Sequence, residues 1–362
     1  MDELTAVVSA IDNATSNEFA LATVVGVAGS TYRLPGARQV VFTDGSTIGT
    51  VSGGCLDSDV RATALEVIET GASRVTVYDL TVDDDALWGW GLGCSGVTTV
   101  LFESGASARD LAGTLRTARQ AGKTIAVLTR LGEQPGARVV IEPSGRRGSL
   151  GLTDRGEEEA VRLTDEALAE HRSTIHTIEG VDVFVEVVEP PPLLLVCGTG
   201  NDAGPMVDLG KRLGFEVIVT DERPGALERE IFAAADRKIV CKPSELDEVL
   251  PSDRRLYAVL MSHNFMRDGD TLGALCGSSV EYIGLLGPAD RAAQLIGYVV
   301  NQGVSVTDAD RSKLHGPAGL DVGAEGPEQI AWSILAEILA IRSGRSGGHL
   351  RDRETSIHPK HG

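Results

Sequence analysis

Residues 193–203 read Leu-Leu-Leu-Val-Cys-Gly-Thr-Gly-Asn-Asp-Ala. The apolar run at residues 193–196 predicts a buried strand, and the glycines after it fit the G-x-G-x-x-G/A turn that opens a helix. Glycines in such a turn let backbone amides approach a phosphate group, and the N-terminus of the helix attracts anions. The stretch therefore predicts a Rossmann-like domain in which Gly198 and Gly200 are candidate cofactor-binding residues.

The chain on both sides of this stretch supports the same fold. Pro190-Pro191-Pro192 precedes it as an extended spacer. Short apolar strands alternate with helical patterns after it, at residues 215–220, 238–241, 256–261 and 282–286, which is typical of a doubly wound parallel sheet. Ligands of such sheets bind at the carboxyl ends of the strands, where Asp221 and His263 lie. The alternative for His263 is a side chain that only hydrogen-bonds its neighbours. Further candidates for the same crevice are Arg291 and His315.

The ligand of the glycine turn stays open at this point. Asp221 stands where an acidic side chain usually binds a ribose hydroxyl, which favours NAD(P). Asp202 argues against this ligand, because its carboxylate lies inside the turn and would repel a phosphate group. A nicotinamide cofactor, another nucleotide or pterin phosphate, and a scaffold without ligand are all compatible with the motif.

The amino-terminal half also has an α/β pattern. Strands are predicted at residues 19–27, 75–80 and 97–102, a hairpin at 38–43 and 47–51, and a helix at 56–70. No internal repeat is evident. The predicted organisation is an amino-terminal α/β domain of residues 1–188, with a connecting subdomain from about residue 105, a proline linker at 189–192, a Rossmann-like domain at 193–345 and a flexible tail at 346–362.

Two cysteines of the amino-terminal half are candidate metal ligands. Cys55 follows Gly53-Gly54 at the predicted start of a helix, where backbone amides and the helix dipole favour a thiolate. Cys94 lies in the glycine-rich residues 91–96, whose backbone is able to approach a ligand closely. An ionised sulfur suits metal binding or sulfur transfer. A buried, inert thiol is the alternative for each cysteine.

Arg33 and Arg38 belong to the basic segment Thr31-Tyr32-Arg33-Leu34-Pro35-Gly36-Ala37-Arg38 of an otherwise acidic protein. Guanidinium groups bind phosphate oxygens through paired N–H donors, so both side chains are candidates for holding a phosphate group. Ion pairing inside the protein is the alternative.

The composition narrows the classes of partner and location. The 33 basic and 52 acidic residues give a net charge of −19, which disfavours binding to nucleic acid or to an anionic membrane. No run approaches the roughly 18 apolar residues of a membrane span. The five cysteines are odd in number and contain no C-x-x-C pair, which argues against a disulfide framework or a structural zinc site. The expected location is the reducing cytoplasm.

Residues 29–38, followed by residues 49–57, resemble the amino-terminal signature of the XdhC/CoxI family, and residues 90–96 resemble its second cysteine loop. The glycine turn at Gly198 resembles part of the family's carboxyl-terminal domain. The same is true of residues 261–264, 282–287, 315–321 and 333–338. The resemblance is ordered along residues 20–345, so it is more specific than the glycine turn alone.

This resemblance implies a maturation factor and not a free-standing enzyme. Members bind molybdenum cofactor, protect it while a cysteine desulfurase supplies the terminal sulfido ligand, and deliver it to the apoenzyme of a xanthine dehydrogenase or carbon monoxide dehydrogenase type molybdenum hydroxylase. The cargo is molybdopterin or its cytidine dinucleotide form. On this basis we expect a homodimer in which Cys55 and Cys94 face the molybdenum, while Gly198, Gly200 and His263 hold the phosphate-bearing end.

Two other functions remain compatible with the residues. An NAD(P)-dependent oxidoreductase is supported by the glycine turn and Asp221, and tight nicotinamide binding would favour it. A protein-interaction scaffold with a ligand-free Rossmann domain would capture a molybdenum hydroxylase without binding a small molecule.

Overall fold

The computed structural model of the chain describes residues 3–29, 31–80, 96–251 and 253–353. They form two compact units, one of residues 3–190 with 350–353 and one of residues 191–349. None of the helices in the described ranges has the length and hydrophobicity that a membrane span requires.

The amino-terminal unit contains two five-stranded antiparallel sheets. Its elements are α1 (Glu3–Asn13), β1 (Phe19–Gly29), β2 (Arg38–Phe42), β3 (Thr47–Gly49), α2 (Asp57–Thr70), β4 (Arg74–Asp79), β5 (Gly96–Ser104), α3 (Gly105–Ala121), β6 (Ile125–Arg130), β7 (Arg138–Glu142), β8 (Gly145–Gly148), α4 (Asp154–Glu170), β9 (Thr174–Ile178) and β10 (Val181–Val188). The strand orders are β3-β2-β1-β5-β4 and β8-β7-β6-β10-β9. Helices α1 and α3 share one apolar core with both sheets, whereas α2 packs on the first sheet and α4 on the second.

The two sheets are built by the same order of elements. A helix, three strands, a second helix and two strands follow one another from α1 to β5, and again from α3 to β10. We call residues 3–104 the first repeat and residues 105–188 the second repeat. The expectation that the chain has no internal repeat is therefore wrong, and the predicted connecting subdomain from about residue 105 coincides with the second repeat.

The pairing registers and the sequence agree on this correspondence. In the first repeat Leu21 faces Val40 and Glu103, and in the second repeat the equivalent set is Val127, Val140 and Glu186. The tetrapeptide Pro-Gly-Ala-Arg at residues 35–38 recurs at residues 135–138, and its arginine begins β2 in one case and β7 in the other. An identical tetrapeptide at an identical structural position indicates that the two halves are versions of one unit.

Two buried ion pairs connect the repeats reciprocally. Arg38 of the first repeat binds Glu186 of the second at 2.6 Å, and Arg138 of the second repeat binds Glu103 of the first. All four side chains are buried. A lone buried charge is strongly unfavourable, so Arg38 depends on the glutamate that the other repeat supplies. Arg138 has Glu103 as its close partner and Asp110 of its own repeat at 3.6 Å.

The carboxyl-terminal unit contains the predicted parallel sheet. Its elements are β11 (Leu193–Cys197), α5 (Ala203–Arg212), β12 (Glu216–Asp221), α6 (Pro224–Leu227), β13 (Arg237–Val240), α7 (Leu246–Val249), β14 (Leu256–Leu260), α8 (Phe265–Leu275), β15 (Tyr282–Leu285), α9 (Ala289–Asn301), α10 (Asp308–Ser312), β16 (Leu314–His315) and α11 (Pro327–Arg342). The six strands are parallel in the order β13-β12-β11-β14-β15-β16, and an apolar cluster covers each face. The order reverses between β11 and β14, the switch point where such sheets bind ligands.

Candidate functional site

Three connections at one end of the first sheet carry the residues predicted for the amino-terminal site. Strands β1, β3 and β4 run in the same direction, so the connections that follow them leave the sheet at the same end. These connections are residues 30–37, 50–56 and 80–95. Ser30 and residues 81–95, which include Cys94, lie outside the described residues. We call residues 31–37 the arginine loop and residues 50–56 the cysteine turn.

The cysteine turn is held by its own hydroxyl groups. Thr50 Oγ1 donates to the carbonyl of Ser52 at 2.6 Å, Ser52 Oγ donates to Asp57 at 2.6 Å, and the Gly54 amide donates to Ser52 Oγ at 3.1 Å. Gly54 has a φ of 110°, which a residue with a Cβ rarely adopts. These contacts set the backbone path into α2.

Cys55 occupies this turn immediately before α2, which begins at Asp57. Its side chain is half-buried and packs at the edge of the apolar cluster beneath α2. Leu56 is the N-cap of α2 and provides no side-chain hydrogen bond to the first amides of the helix. The thiol thus lies beside a helix N-terminus, where the helix dipole favours an anion.

Gly53 has a packing role in addition to any ligand role. A Cβ atom at this position would lie 3.1 Å from Cγ of Tyr32, so the ring of the arginine loop rests on the glycine of the cysteine turn. Tyr32 is otherwise well exposed. The two sequence runs that predicted the site therefore touch each other.

The two predicted phosphate-binding arginines have different surroundings. Arg38 is buried, pairs with Glu186 and donates through Nη1 to the carbonyl of Gly36 at 2.9 Å. Arg38 therefore forms an ion pair inside the protein, which was the alternative to binding a phosphate group. Arg33 donates through Nη2 to Glu3 at 2.6 Å and keeps about a quarter of its side chain exposed (27%), which leaves it able to meet a ligand.

A cavity of about 380 Å³ lies between α1 and the arginine loop. It is lined by Glu3, Leu4 and Val7 and by residues 32–38. Its volume is within the range of small-molecule pockets, and its walls combine apolar side chains with a few charged groups, as such pockets commonly do.

In the carboxyl-terminal unit the glycine turn closes tightly on its neighbours. Gly198 has a φ of 134°, and a Cβ there would lie 2.6 Å from the carbonyl oxygen of Met261, at the end of the adjacent strand. A Cβ on Gly200 would collide with the carboxylate of Asp202. Packing against the backbone therefore requires glycine at position 198, whereas a side chain at position 200 would displace only the ends of the Asp202 and His263 side chains.

Asp221 is at the predicted strand end, but its carboxylate is occupied by the protein. Thr199 Oγ1 donates to it at 2.7 Å, and Arg223 donates to it from the backbone amide and from Nε, each at 2.9 Å. Burial alone would raise the pKa of Asp221, but the hydrogen bonds from Arg223 and Thr199 outweigh it and lower the pKa to about 2. In this conformation the carboxylate has little capacity left for ribose hydroxyls, which weakens the case for NAD(P).

His263 and Asp202 form a pair at the tip of the glycine turn. Nε2 of His263 lies 2.8 Å from Asp202, and the imidazole is largely exposed. His263 has a φ of 57°, an uncommon conformation for a residue with a side chain. Its loop is fixed because Ser262 Oγ donates to the buried Asp268 at 2.5 Å. The Asp202 carboxylate, which was expected to repel a phosphate group in the turn, is therefore in contact with the His263 imidazole.

Three arginines near the switch point were missed from the sequence. Arg223 holds Asp221, Arg267 donates to Asp221 and Glu222, and Arg229 donates to the carbonyl of Thr199 at 2.6 Å. The Asp-Glu-Arg order after β12 could have drawn attention to Arg223. For Arg229 and Arg267 no local sequence pattern exists, since they reach the turn from distant segments.

The other candidates of this unit are mainly structural. Arg291 binds Asp268 at 2.7 Å, and His315 pairs with Glu337 at 3.3 Å and stacks on Tyr282. A cavity below the glycine turn, lined in part by Cys197 and Cys241, has a volume of about 20 Å³, enough for about one water molecule.

The cysteines of the carboxyl-terminal unit are buried or half-buried thiols. Burial raises the pKa of Cys197 to about 12 and raises the pKa of Cys241 and Cys276, so these thiols stay protonated at neutral pH. Within the described ranges no three His, Cys, Asp or Glu side chains converge on one point as a metal site would require. The predicted metal pair includes Cys94, so it stays a prediction.

Comparison with known proteins covers both units. Residues 14–79 match the XdhC and CoxI family, and residues 194–338 match the XdhC Rossmann domain. A Bacillus subtilis protein described as a probable subunit of xanthine dehydrogenase is 32% identical over 335 residues, which span 90% of this chain and 93% of the relative.

Two further similarities extend over nearly the whole chain. The "Molybdenum cofactor insertion chaperone PaoD" of Escherichia coli is 24% identical over 322 residues, 89% of this chain and 83% of the relative. The crystal structure of a protein described as a xanthine dehydrogenase from Bacillus halodurans superposes with a TM-score of 0.77 at 29% identity, and covers 97% of this chain and 98% of the other.

Proposed function

Because this chain belongs to the XdhC and CoxI family, we propose that it is a maturation factor that binds molybdenum cofactor as cargo and delivers it to a molybdenum hydroxylase apoenzyme. Two relatives of nearly full length support this role: one is named a molybdenum cofactor insertion chaperone, and the other is described as part of a xanthine dehydrogenase.

The observation that carries the proposal for the site is the difference between the two repeats. Residues 80–95 join β4 to β5, whereas residues 179–180 suffice to join β9 to β10 in the second repeat. The connection before α2 contains Cys55, while the equivalent residues 149–153 contain no cysteine. The second repeat has the same strand order without this long connection. Long connections on a rigid scaffold commonly carry function.

The chemistry of these residues suits the proposed cargo. Molybdenum cofactor presents a metal with sulfur ligands at one end and a phosphate group at the other. A thiolate at Cys55 suits the metal or its sulfur, and the partly exposed guanidinium of Arg33 suits an anion. Cys94 is the proposed second sulfur. Arg38 is proposed only as a support of the arginine loop.

The finer parts of the function are also proposals. We infer that a cysteine desulfurase sulfurates the cargo while it is bound, that the chain acts as a homodimer in the cytoplasm, and that the crevice at Gly198, Gly200 and His263 receives a phosphate group of the plain or cytidine dinucleotide cofactor. The contact between Asp202 and His263 supports this last point, because the imidazole engages the carboxylate that would otherwise face the phosphate group.

The test compares the full-length wild type with Cys55→Ala and Cys276→Ala, each purified from a molybdenum-replete bacterial host. Cys276 is the control because it is a half-buried thiol in the other unit. We expect molybdenum and pterin to co-purify with the wild type and with Cys276→Ala, and to fall at least about tenfold in Cys55→Ala, as expected for the loss of a direct ligand worth about 1.4 kcal/mol or more. A wild type without pterin would overturn the cargo role, and equal loading of all three proteins would overturn the role of Cys55.

A further inference from the structure

We propose that Glu3 is a positioning residue of this site, which holds the arginine loop and the cysteine turn at a fixed distance from each other; the inference rests on the proposed function. Glu3 is the first residue of α1 and lies outside both motif runs identified in the sequence. It also lines the cavity below the arginine loop.

One carboxylate contacts both segments. Arg33 of the arginine loop donates through Nη2 to Oε2 of Glu3 at 2.6 Å, and the backbone amide of Thr50 in the cysteine turn donates to Oε1 at 3.1 Å. A carboxylate has two oxygens that accept hydrogen bonds in different directions, so it can serve both donors at once. Glutamine has only one acceptor oxygen and no charge, and alanine has no acceptor, so both substitutions weaken this double contact.

The contact to Thr50 fixes the start of a chain of hydrogen bonds. Thr50 Oγ1 binds the carbonyl of Ser52, and Ser52 Oγ in turn binds the Gly54 amide and Asp57, at the beginning of α2. Cys55 lies between Ser52 and Asp57, the two residues that the last of these hydrogen bonds joins. A shift of the Thr50 amide is therefore transmitted to the backbone that carries the thiol.

The contact to Arg33 orients its guanidinium. The pair uses one terminal nitrogen, so Glu3 does not occupy Nε or the other terminal nitrogen of the planar fork. An arginine that is already ordered loses less conformational entropy when it binds an anion. Glu3 thereby prepares Arg33 for a phosphate group without using all of its donors.

Glu3 can act in this way because α1 is itself anchored. Val7, Val8 and Ile11 of α1 are buried in the core that both sheets share. Arg109 of α3 donates to the carbonyl of Ile11 at 2.9 Å and closes the other end of the helix. The carboxylate is thus presented by a rigid element.

The experiment uses Glu3→Ala and Glu3→Gln in the full-length protein, with Glu66→Ala as the matched control. Glu66 forms an ion pair of similar length with Arg74, 2.7 Å, in the same repeat, and contacts neither segment. Two quantities are measured: the rate at which iodoacetamide alkylates Cys55 in the cofactor-free protein, read from the Cys55 peptide by mass spectrometry, and the pterin that co-purifies from a molybdenum-replete host.

We expect Glu3→Ala to change the alkylation rate of Cys55 at least threefold and to lower bound pterin at least fivefold, Glu3→Gln to lie between it and the wild type, and Glu66→Ala to match the wild type. Equal alkylation rates in Glu3→Ala and Glu66→Ala would overturn the positioning role. A wild type without pterin, combined with a changed alkylation rate in Glu3→Ala, would support the positioning role and reject the cargo.

Discussion

Asp221 is a residue at the position where Rossmann domains bind a ribose hydroxyl, but its carboxylate is already hydrogen-bonded to other residues of the protein. The sequence predicted its place at the end of β12 correctly, because the place follows from a local strand pattern. Its partners Thr199, Arg223 and Arg267 come from three different segments. Arg223 follows Asp221 by two residues and could have been suspected, whereas no sequence pattern links Thr199 and Arg267 to Asp221, so the full set of donors to the carboxylate could not be predicted.

The low pKa of Asp221 gives a pH dependence. The folded pKa of about 2 lies below the value of 3.8 for an unperturbed carboxyl, so folding favours the ionised form. The resulting stability is present above the unfolded value and is lost as the pH falls from about 4 to about 2. We expect Asp221→Asn to lower the free energy of unfolding by about 2 kcal/mol at pH 7 and by much less near pH 2.5.

Urea unfolding of the wild type and Asp221→Asn at these pH values measures this effect. Asp208→Asn is the control, since Asp208 is an exposed carboxylate of the same unit. A difference between wild type and Asp221→Asn that does not shrink on acidification would contradict the assignment of the effect to ionisation.

Among the secondary-structure elements, local sequence patterns predicted individual strands and helices correctly, but the internal repeat was missed. The strand at residues 19–27, the hairpin at residues 38–51 and the helix at residues 56–70 are all present, with small changes in their ends. These elements depend on alternating or helical spacing within short windows. The repeat depends on pairing registers, and its clearest sequence trace is one tetrapeptide, at residues 35–38 and 135–138. The repeated tetrapeptide is visible in the sequence, but only the strand order of the two sheets shows that its copies occupy equivalent positions.

The repeat predicts that equivalent hairpin glycines respond alike. Gly49 and Gly148 end the third strand of each repeat with φ values of 82° and 93°, and a Cβ atom on either would collide with the carbonyl oxygen of Arg38 or Arg138. We expect Gly49→Ala and Gly148→Ala each to lower the free energy of unfolding by roughly 2 kcal/mol or more, because both backbone strain and a steric clash are introduced.

Differential scanning calorimetry of the two alanine variants checks this expectation. Gly113→Ala serves as the control, because Gly113 lies within α3 and a Cβ there meets only the far end of the Arg116 side chain. Loss of stability in one hairpin variant but not in the other would contradict the structural equivalence of the two repeats.

At the scale of the whole molecule, the two units follow the change in sequence character at the proline triplet, and the large negative charge is spread over both. The net charge follows from composition because it is a sum over many residues, and the boundary follows from the local run of prolines. The reciprocal ion pairs within the amino-terminal unit could not be predicted, since each one joins residues far apart in sequence, as Arg38 and Glu186 are. Together with the apolar core that α1 and α3 share with both sheets, they join the two repeats into one unit.

Each of these ion pairs buries an arginine whose charge needs a carboxylate partner. Glu186→Ala would leave Arg38 buried without its carboxylate partner, so it is expected to lower the free energy of unfolding by about 3–5 kcal/mol. Glu103→Ala would leave Arg138 with only the more distant carboxylate of Asp110, at 3.6 Å, so a smaller loss is expected for this variant. The double variants Arg38→Met with Glu186→Leu, and Arg138→Met with Glu103→Leu, remove both charges and are expected to lose far less, because well-packed apolar pairs commonly replace buried ion pairs at little cost. Urea unfolding, with hydrogen exchange of β1 and β6 as a local probe, distinguishes these cases. Double variants as unstable as the single ones would show that the charges themselves, and not the filling of the interior, hold the repeats together.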